Sequence, residues 1–230
     1  ELISFRNENQ DIKEFWGKQF DLGLAWVQYP EGAGGLGINP KYQLLVTEKL
    51  REEGISQQNR VANILGIGMG APTIIEYGTP EQISKYLRPM FTTDEIWCQM
   101  FSEPGSGSDL ASLSTKAVDD GDGYIVNGQK VWTTLGHLAK WGLLVTRTDP
   151  DVPKHRGLTF FIVDMESDGV EVRPLRQITG EAEFNEVYFT DVKIPKENML
   201  GNLGDGWRVS LTVLMNERVA IGGNVRERGT

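Results

Sequence analysis

The stretch WCQMFSEPGSGSDL, residues 97–110, runs an apolar strand straight into Ser102, Glu103, Pro104, Gly105, Ser106, Gly107, Ser108 and Asp109. Pro104 fixes one backbone angle, and the glycines let the main chain come close to a ligand. Amides and hydroxyls in such a turn suit a pyrophosphate or the polar edge of a flat ring. The same composition also describes a polar surface loop, and the residues alone leave both readings open. A second glycine run, PEGAGGLGINP at residues 30–40, sets Gly32, Gly34 and Gly37 at the G-x-G-x-x-G spacing of a dinucleotide fingerprint. That fingerprint needs a strand before it, a helix opening directly after it, and a βαβ unit with an acidic residue further on. Here Pro30 precedes the run, Asn39 caps the next helix, and more helix follows, so the run reads as a connecting loop. Residues 123–128 followed by Gln129 and Lys130 lack the Gly-Lys-Ser/Thr ending of a phosphate loop and read as a hairpin.

The elements around these turns change character near residue 95. NPKYQLLVTEKLREEG offers Asn39 as cap, Pro40 at the first helical position and Gly54 as the stop, with Tyr42, Leu45, Val46 and Leu50 at helical spacing. NRVANILGIGMGAPTIIEYG is apolar nearly all round and predicts a buried helix. TPEQISKYL opens with Thr79 and carries Gln82 three residues on, a capping box. From Glu95 onward short strands take over. DDGDGYIVNGQKVW holds turn signals at Asp120-Gly121 and Asn127-Gly128, and WGLLVTRT, GLTFFIVDM, GVEVRPL and NEVYFTDVKI follow. Helical spacing returns at Gly206 in GWRVSLTVLMNERVAIGG. The pattern predicts an α+β multidomain chain: an N-terminal helical domain over 1–94, a central antiparallel β-barrel or sandwich over 95–205, and the start of a C-terminal helical bundle over 206–230.

Composition narrows the chemistry. The 230 residues carry a net charge of −9, which works against a nucleic-acid or anionic-membrane partner. Cys98 is the single cysteine, so no intrachain disulfide forms and a reducing compartment is expected. Two histidines, His137 and His155, cannot build a His-rich metal site, and no metal is expected. No run of about 18 apolar residues exists, so no membrane span is expected. The chain starts at Glu1 and stops within a helical pattern, and is expected to be a piece of a longer protein.

FSEPGSGSDLASLSTKA resembles the signature of the acyl-CoA dehydrogenase family, close to T/S-E-P-x-A/G-G-S-D. DGYIVNGQKVWTTLG resembles the family's second flavin-contacting segment, and FTDVKIPKENMLGNLGDGW its exit from barrel to C-terminal helices. PEGAGGLGINPKYQLLVTEKL is similar to its early loop between helices. The four segments fall in order along nearly the whole chain.

The resemblance implies an enzyme of lipid metabolism and fatty-acid β-oxidation that oxidises an acyl-CoA thioester to the 2,3-enoyl-CoA. A base would take the α-proton and the β-hydride would pass to N5 of FAD. Gln99, Met100, Phe101, Ser102, Gly107 and Ser108 match the first flavin-binding strand and loop. Ser102 is implied to bond the flavin's polar edge, and Ser108 to lie between the FAD phosphates and the pantetheine arm. Trp132 is implied to pack on the ring, with Thr133 beside it and Thr134 donating near N5; Thr133 stands where the family often has Ile. Met100, Phe101 and Trp132 also have a plain alternative as core residues. The family's base is a glutamate either late in the C-terminal helices or in a Glu-Arg pair on the helix after the barrel. Glu217 and Arg218 form that pair, giving Glu217 as catalytic base and Arg218 as a substrate-channel residue. Their plain alternatives are a solvated helix carboxylate and an arginine with a packed stem.

As partners the resemblance implies an acyl-CoA substrate, an electron-transferring flavoprotein and a homo-oligomer, a dimer or a homotetramer built as a dimer of dimers, in a bacterial cytoplasm. An oxidase or flavin monooxygenase of the same fold, and a non-catalytic subunit of a mixed oligomer, remain alternatives. In the family the C-terminal helices of the same and a neighbouring subunit complete the FAD pocket. These 230 residues alone are therefore expected to hold FAD weakly or not at all.

Overall fold

In the computed structural model, which describes residues 1–8 and 11–222, the segment Glu1–Glu95 forms one helical unit and the chain from Ile96 onward a second. Residues 223–230 of the expected C-terminal segment lie outside the described residues. The first unit holds α1 (Leu2–Glu8), α2 (Ile12–Asp21), α3 (Tyr42–Glu52), α4 (Asn59–Ala62), α5 (Ala71–Tyr77) and α6 (Pro80–Thr92). Asp11 caps α2 by accepting from the Lys13 amide at 2.8 Å. The α6 capping box forms as its spacing predicts: the Thr79 hydroxyl accepts from the Gln82 amide, and the Gln82 side chain accepts from the Thr79 amide. Phe20, Trp26 and Phe91 meet at ring separations of 5.0–6.1 Å and anchor this unit's core.

Two helix expectations need correction. Helix α3 begins at Tyr42, because Asn39 uses its side chain to accept from Lys41 N and its carbonyl to accept from Tyr42 N, closing a turn ahead of the helix. The single buried helix expected over residues 59–78 is broken at Asn63 and resumes through a π-helical turn, Gly66–Gly70, into α5. Buried Asn59 donates to Phe91 O, and Asn63 donates to Met90 O and Glu95 O. The bonds to Met90 O and Phe91 O answer carbonyls in the last turn of α6, where helix geometry leaves acceptors open, and the bond to Glu95 O holds the chain just past it. The tertiary contact overrides local helical preference.

The glycine run at 30–40 is a loop, as its context predicts. Gly32, Gly34 and Gly37 all have positive φ, near +83°, +80° and +64°. Gly34 O accepts from Ala25 N and Trp26 N, and Val27 O accepts from Leu36 N and Ile38 N.

The second unit is a curled sheet of β1 (Trp97–Met100), β2 (Lys116–Asp119), β3 (Gly123–Thr134), β4 (Trp141–Arg147), β5 (Leu158–Asp164), β6 (Val170–Leu175) and β7 (Phe184–Pro195). Strand order is β1-β4-β2-β3-β7-β6, with β5 on the other side of β4. The pairings β2–β3, β3–β7, β4–β5 and β6–β7 are antiparallel, whereas β1 and β2 join β4 in parallel, so the sheet is mixed rather than wholly antiparallel. Asp120-Gly121 turns the β2–β3 hairpin, but Asn127-Gly128 lies within β3 rather than at a second turn, opposite a bulge in β7 at Thr190-Asp191. The close approach of Thr115, whose Cα lies 2.7 Å from a Cβ built on Gly128, requires glycine there.

Alternation along the strands sends Cys98, Met100, Leu144, Phe161 and Val163 into the sheet's interior core with Tyr124, Val126, Val187 and Phe189. Strands β4 and β5 are buried on both faces. Helix α7 (Gly206–Gly222) lies on them, burying Val209 and Val213, and Gly206 abuts Leu158 and Thr159 so closely that a Cβ would meet Thr159 N at 2.5 Å.

Candidate functional site

The turn after β1 and the end of β3 meet at a seam. Val131 N donates to Ser102 O at 2.9 Å. Directly behind this bond the Lys130 ammonium, fully buried, reaches Phe101 O at 3.0 Å and Glu103 Oε1 at 2.9 Å. Glu103 is also buried, and its carboxylate collects the amides of Ser114 and Thr115 at 2.6 and 2.9 Å and the Ser114 hydroxyl at 2.8 Å. Burial alone would raise the Glu103 carboxyl, but Lys130 and these donors outweigh it and hold it low, at about 2. Burial pulls the Lys130 ammonium down despite its carboxylate partner. Neither residue of this pair was among the predicted site residues. The available signal was position: counting by twos from inward-facing Tyr124 and Val126 reaches Lys130, and an inward lysine demands a partner.

Other side chains fix the turn from below. Glu103 and Ser106 exchange two backbone bonds, and the buried Ser106 hydroxyl donates to Asp109 O. Asp109 pairs with Lys154 at 2.7 Å, and the Arg147 guanidinium donates to Leu113 O, Ala111 O and Lys154 O.

On this scaffold the predicted residues separate into two sets. Met100 and Phe101 are buried, Met100 in the interior core and Phe101 edge-on to Phe160. Thr133 is fully buried. Gln99, Ser102 and Thr134 are half-buried, and Gly107 and Ser108 are exposed. Trp132 is 62% exposed and has φ near +62°, a left-handed conformation unusual for a bulky residue. It sits at a register shift between Lys130 and Thr133, where the strand loses its pairing and turns the indole outward. Strain of this kind persists where the surroundings over-determine it and concentrates at ligand sites.

Glu217 is half-buried and Arg218 exposed on α7. That helix packs on β5 and β4, covering the face opposite the interior core, the face to which alternation also assigns Gln99 and Phe101. Among the described residues no hydrogen bond joins Glu217 to the seam. His155 lies against Trp207 at 4.7 Å, and the His137 ring meets the Asn185 amide at 3.2 Å; both are structural contacts.

The donor set fits a flat ring bearing polar edges and phosphates. Among the described residues the side-chain hydroxyls of Ser102, Ser108 and Thr134 make no hydrogen bond to the protein, while the groups behind them are tightly bonded. A Cβ built on Gly105 or Gly107 would meet nothing within 4 Å, so the outer side of the turn is open. Thr133 Oγ1 and Asn185 Oδ1 are buried without partners just behind Trp132.

Sequence profiles of one family match the chain: the acyl-CoA dehydrogenase N-terminal domain over residues 4–94, and the acyl-CoA dehydrogenase middle domain over residues 98–192. Acyl-CoA dehydrogenase FadE34 of Mycobacterium tuberculosis is 48% identical over 202 residues, covering 87% of this chain and 28% of that protein. The solved Tcur3481-Tcur3483 steroid ACAD superposes with a TM-score of 0.72 at 29% identity, over 92% of this chain and 54% of that one. The ChsE4-ChsE5 complex from Mycobacterium tuberculosis gives a TM-score of 0.70 at 34% identity, over 89% of this chain and 52% of that one. The chain spans 28% of FadE34 and about half the length of the other curated relatives it matches. With both profiles in sequence order across helical and sheet units, the chain belongs to the acyl-CoA dehydrogenase family, a family of oxidoreductases.

Proposed function

We propose that this chain supplies the flavin cradle and the catalytic base of an enzyme that converts an acyl-CoA thioester to its 2,3-enoyl-CoA. The observation that carries the reading is the seam itself: Val131 bonded to Ser102, with Trp132 turned outward beside them. When bound, FAD supplies the acceptor for the hydride lost from the β-carbon. The Ser102 and Thr134 hydroxyls orient the ring through its polar edge, and the exposed indole of Trp132 covers one face and excludes water. Gly107 and Ser108 hold phosphate or pantetheine oxygens at the open side of the turn. Donors fixed in advance toward developing negative charge favour the transfer. The Glu217 carboxylate takes the α-proton, and Arg218 lines the substrate channel. Met100 and Phe101 are left with a supporting role through the core, and Thr133 through the strand.

Family membership supports an acyl-CoA substrate, an oligomer in a bacterial cytoplasm, and an electron-transferring flavoprotein as the electron acceptor. Similarity to a steroid ACAD and to a two-component complex favours a second form of the reading. In that form the chain works in a mixed oligomer on bulky, steroid-type acyl-CoA. The test is anaerobic addition of short, long, branched and steroid-type acyl-CoA to the full-length protein carrying its flavin. Bleaching by one class, abolished in Glu217→Gln, supports the reading. Wild-type turnover in Glu217→Gln removes Glu217 as the base, and a colourless protein that pairs with a second chain favours a non-catalytic subunit.

A further inference from the structure

The proposed reaction makes no use of two buried charges that lie immediately behind both lips of the cradle. Lys130 stands two residues before Trp132, and Glu103 directly follows Ser102. Their side chains meet at 2.9 Å with both residues nearly or wholly excluded from water. A buried ion pair is a poor device for stability, because desolvating the two charges offsets their attraction; well-packed apolar residues do as well or better. What such a pair does supply is geometry.

The geometry here is specific. Lys130 binds the first segment at Phe101 O and Glu103 Oε1, on either side of Ser102. Glu103 in turn gathers Ser114 and Thr115, where the chain enters β2, and its own backbone closes the turn on Ser106. One pair therefore ties three chain segments. This matters because the β3–β7 ladder shifts register on both sides of Lys130: opposite Asn127 the extra residue lies in β7, at Thr190-Asp191, and between Lys130 and Thr133 it lies in β3 itself, at Val131-Trp132. Bulges interrupt the ladder that would otherwise set register, and a one-residue slip turns every side chain to the opposite face. At the second shift, where β3 loses its pairing with β7, β1's continuation is held to β3 by the Val131–Ser102 bond and this pair.

We propose that Lys130 and Glu103 are positioning residues whose buried contact sets the register of the Ser102 turn against the end of β3, and so places Trp132 beside Ser102. The proposal rests on the flavin reading for its consequence, though the register itself does not. A change in this pair alters cofactor affinity without altering any group that touches the cofactor.

The test uses the full-length protein and two variants, Lys130→Met and the charge-free double variant Glu103→Gln with Lys130→Met. The double variant leaves no uncompensated buried charge, so it reports on register even where the single variant fails to fold. Amide hydrogen exchange at Val131 is measured against Leu144 in β4, and FAD affinity is measured by titration. The double variant should exchange Val131 at least about ten-fold faster, with Leu144 changed by less than about two-fold. It should also bind FAD at least about ten-fold more weakly. Unchanged Val131 exchange overturns the proposal, and so does an FAD affinity that does not respond to a loosened Val131. A wild-type protein that takes up no FAD sinks the flavin reading instead, and Val131 exchange then decides the register by itself.

Discussion

Two glycine-rich turns in this chain share residue types and end in opposite roles. In residues 30–40 the main chain bonds to itself: Gly34 O takes two amides, and Gly37 N reaches Tyr29 O. Gly35 lies so close to Tyr29 O and Trp26 O that a side chain could not be added without moving backbone. In the turn after β1 the bonding comes from beneath, through Glu103, Ser106 and Lys130, while Gly105, Gly107 and Ser108 stay open to solvent. A turn whose polar groups are consumed internally is a connector. A turn anchored at its back and open at its front can take a ligand. The distinction lies in where the hydrogen bonds go, and G-x-G-x-x-G spacing says nothing about it.

The largest effect comes from removing the anchor. Lys130→Met strands the Glu103 carboxylate in the core and should cost about 3–5 kcal/mol of unfolding free energy, read by denaturant titration. Acid acts on the same point. Because the Glu103 carboxyl is held at about 2, below its ordinary 4.5, the stability it confers is complete above pH 4.5 and is lost as pH falls from there toward 2. A chain with the charge-free Glu103/Lys130 pair should lose less stability over that window, and equal acid sensitivity would show that Glu103 is not the titrating group.

The connector turn should fail differently. Gly35→Ala pushes a methyl into two carbonyls and should destabilise by about 1–3 kcal/mol without weakening FAD binding. Smaller still is Thr79→Ala, which removes half of the α6 capping box and should cost about 1 kcal/mol, with no effect on the sheet unit's ligand chemistry. At the open turn Gly107→Ala should change stability by less than about 0.5 kcal/mol, because a Cβ there touches nothing within 4 Å. Its effect should appear in FAD affinity instead. The comparison breaks if Gly107→Ala unfolds the protein or if Gly35→Ala spoils the flavin site.

Much of this was legible in sequence, for identifiable reasons. The α6 start could be read because Thr79 and Gln82 satisfy each other locally. The connector could be read because Pro30 and the following helix exclude a βαβ unit. Asn127-Gly128 misled because the same dipeptide serves a hairpin turn or a strand interior; here β3 runs straight through it, with the extra residue across the ladder in β7 and Thr115 pressed against Gly128. The break at Asn63 was hidden because its cause, the α6 carbonyls, is tertiary. At the site, the exposed residues Ser108 and Trp132 were predicted, but the pair that holds them was not. Family patterns mark surfaces that meet ligands, whereas alternation shows only that Lys130 points inward and needs a partner; that the partner is Glu103 emerges when two segments 27 residues apart are seen to touch.

The most direct test of the cradle is FAD titration of the full-length protein, comparing wild type with Trp132→Ala. Trp132 is mostly exposed and makes one edge contact with Phe184, so its loss should leave thermal stability nearly unchanged. If the indole covers the flavin, the dissociation constant rises by at least about ten-fold. A Trp132→Ala protein that binds FAD as tightly as wild type contradicts the account.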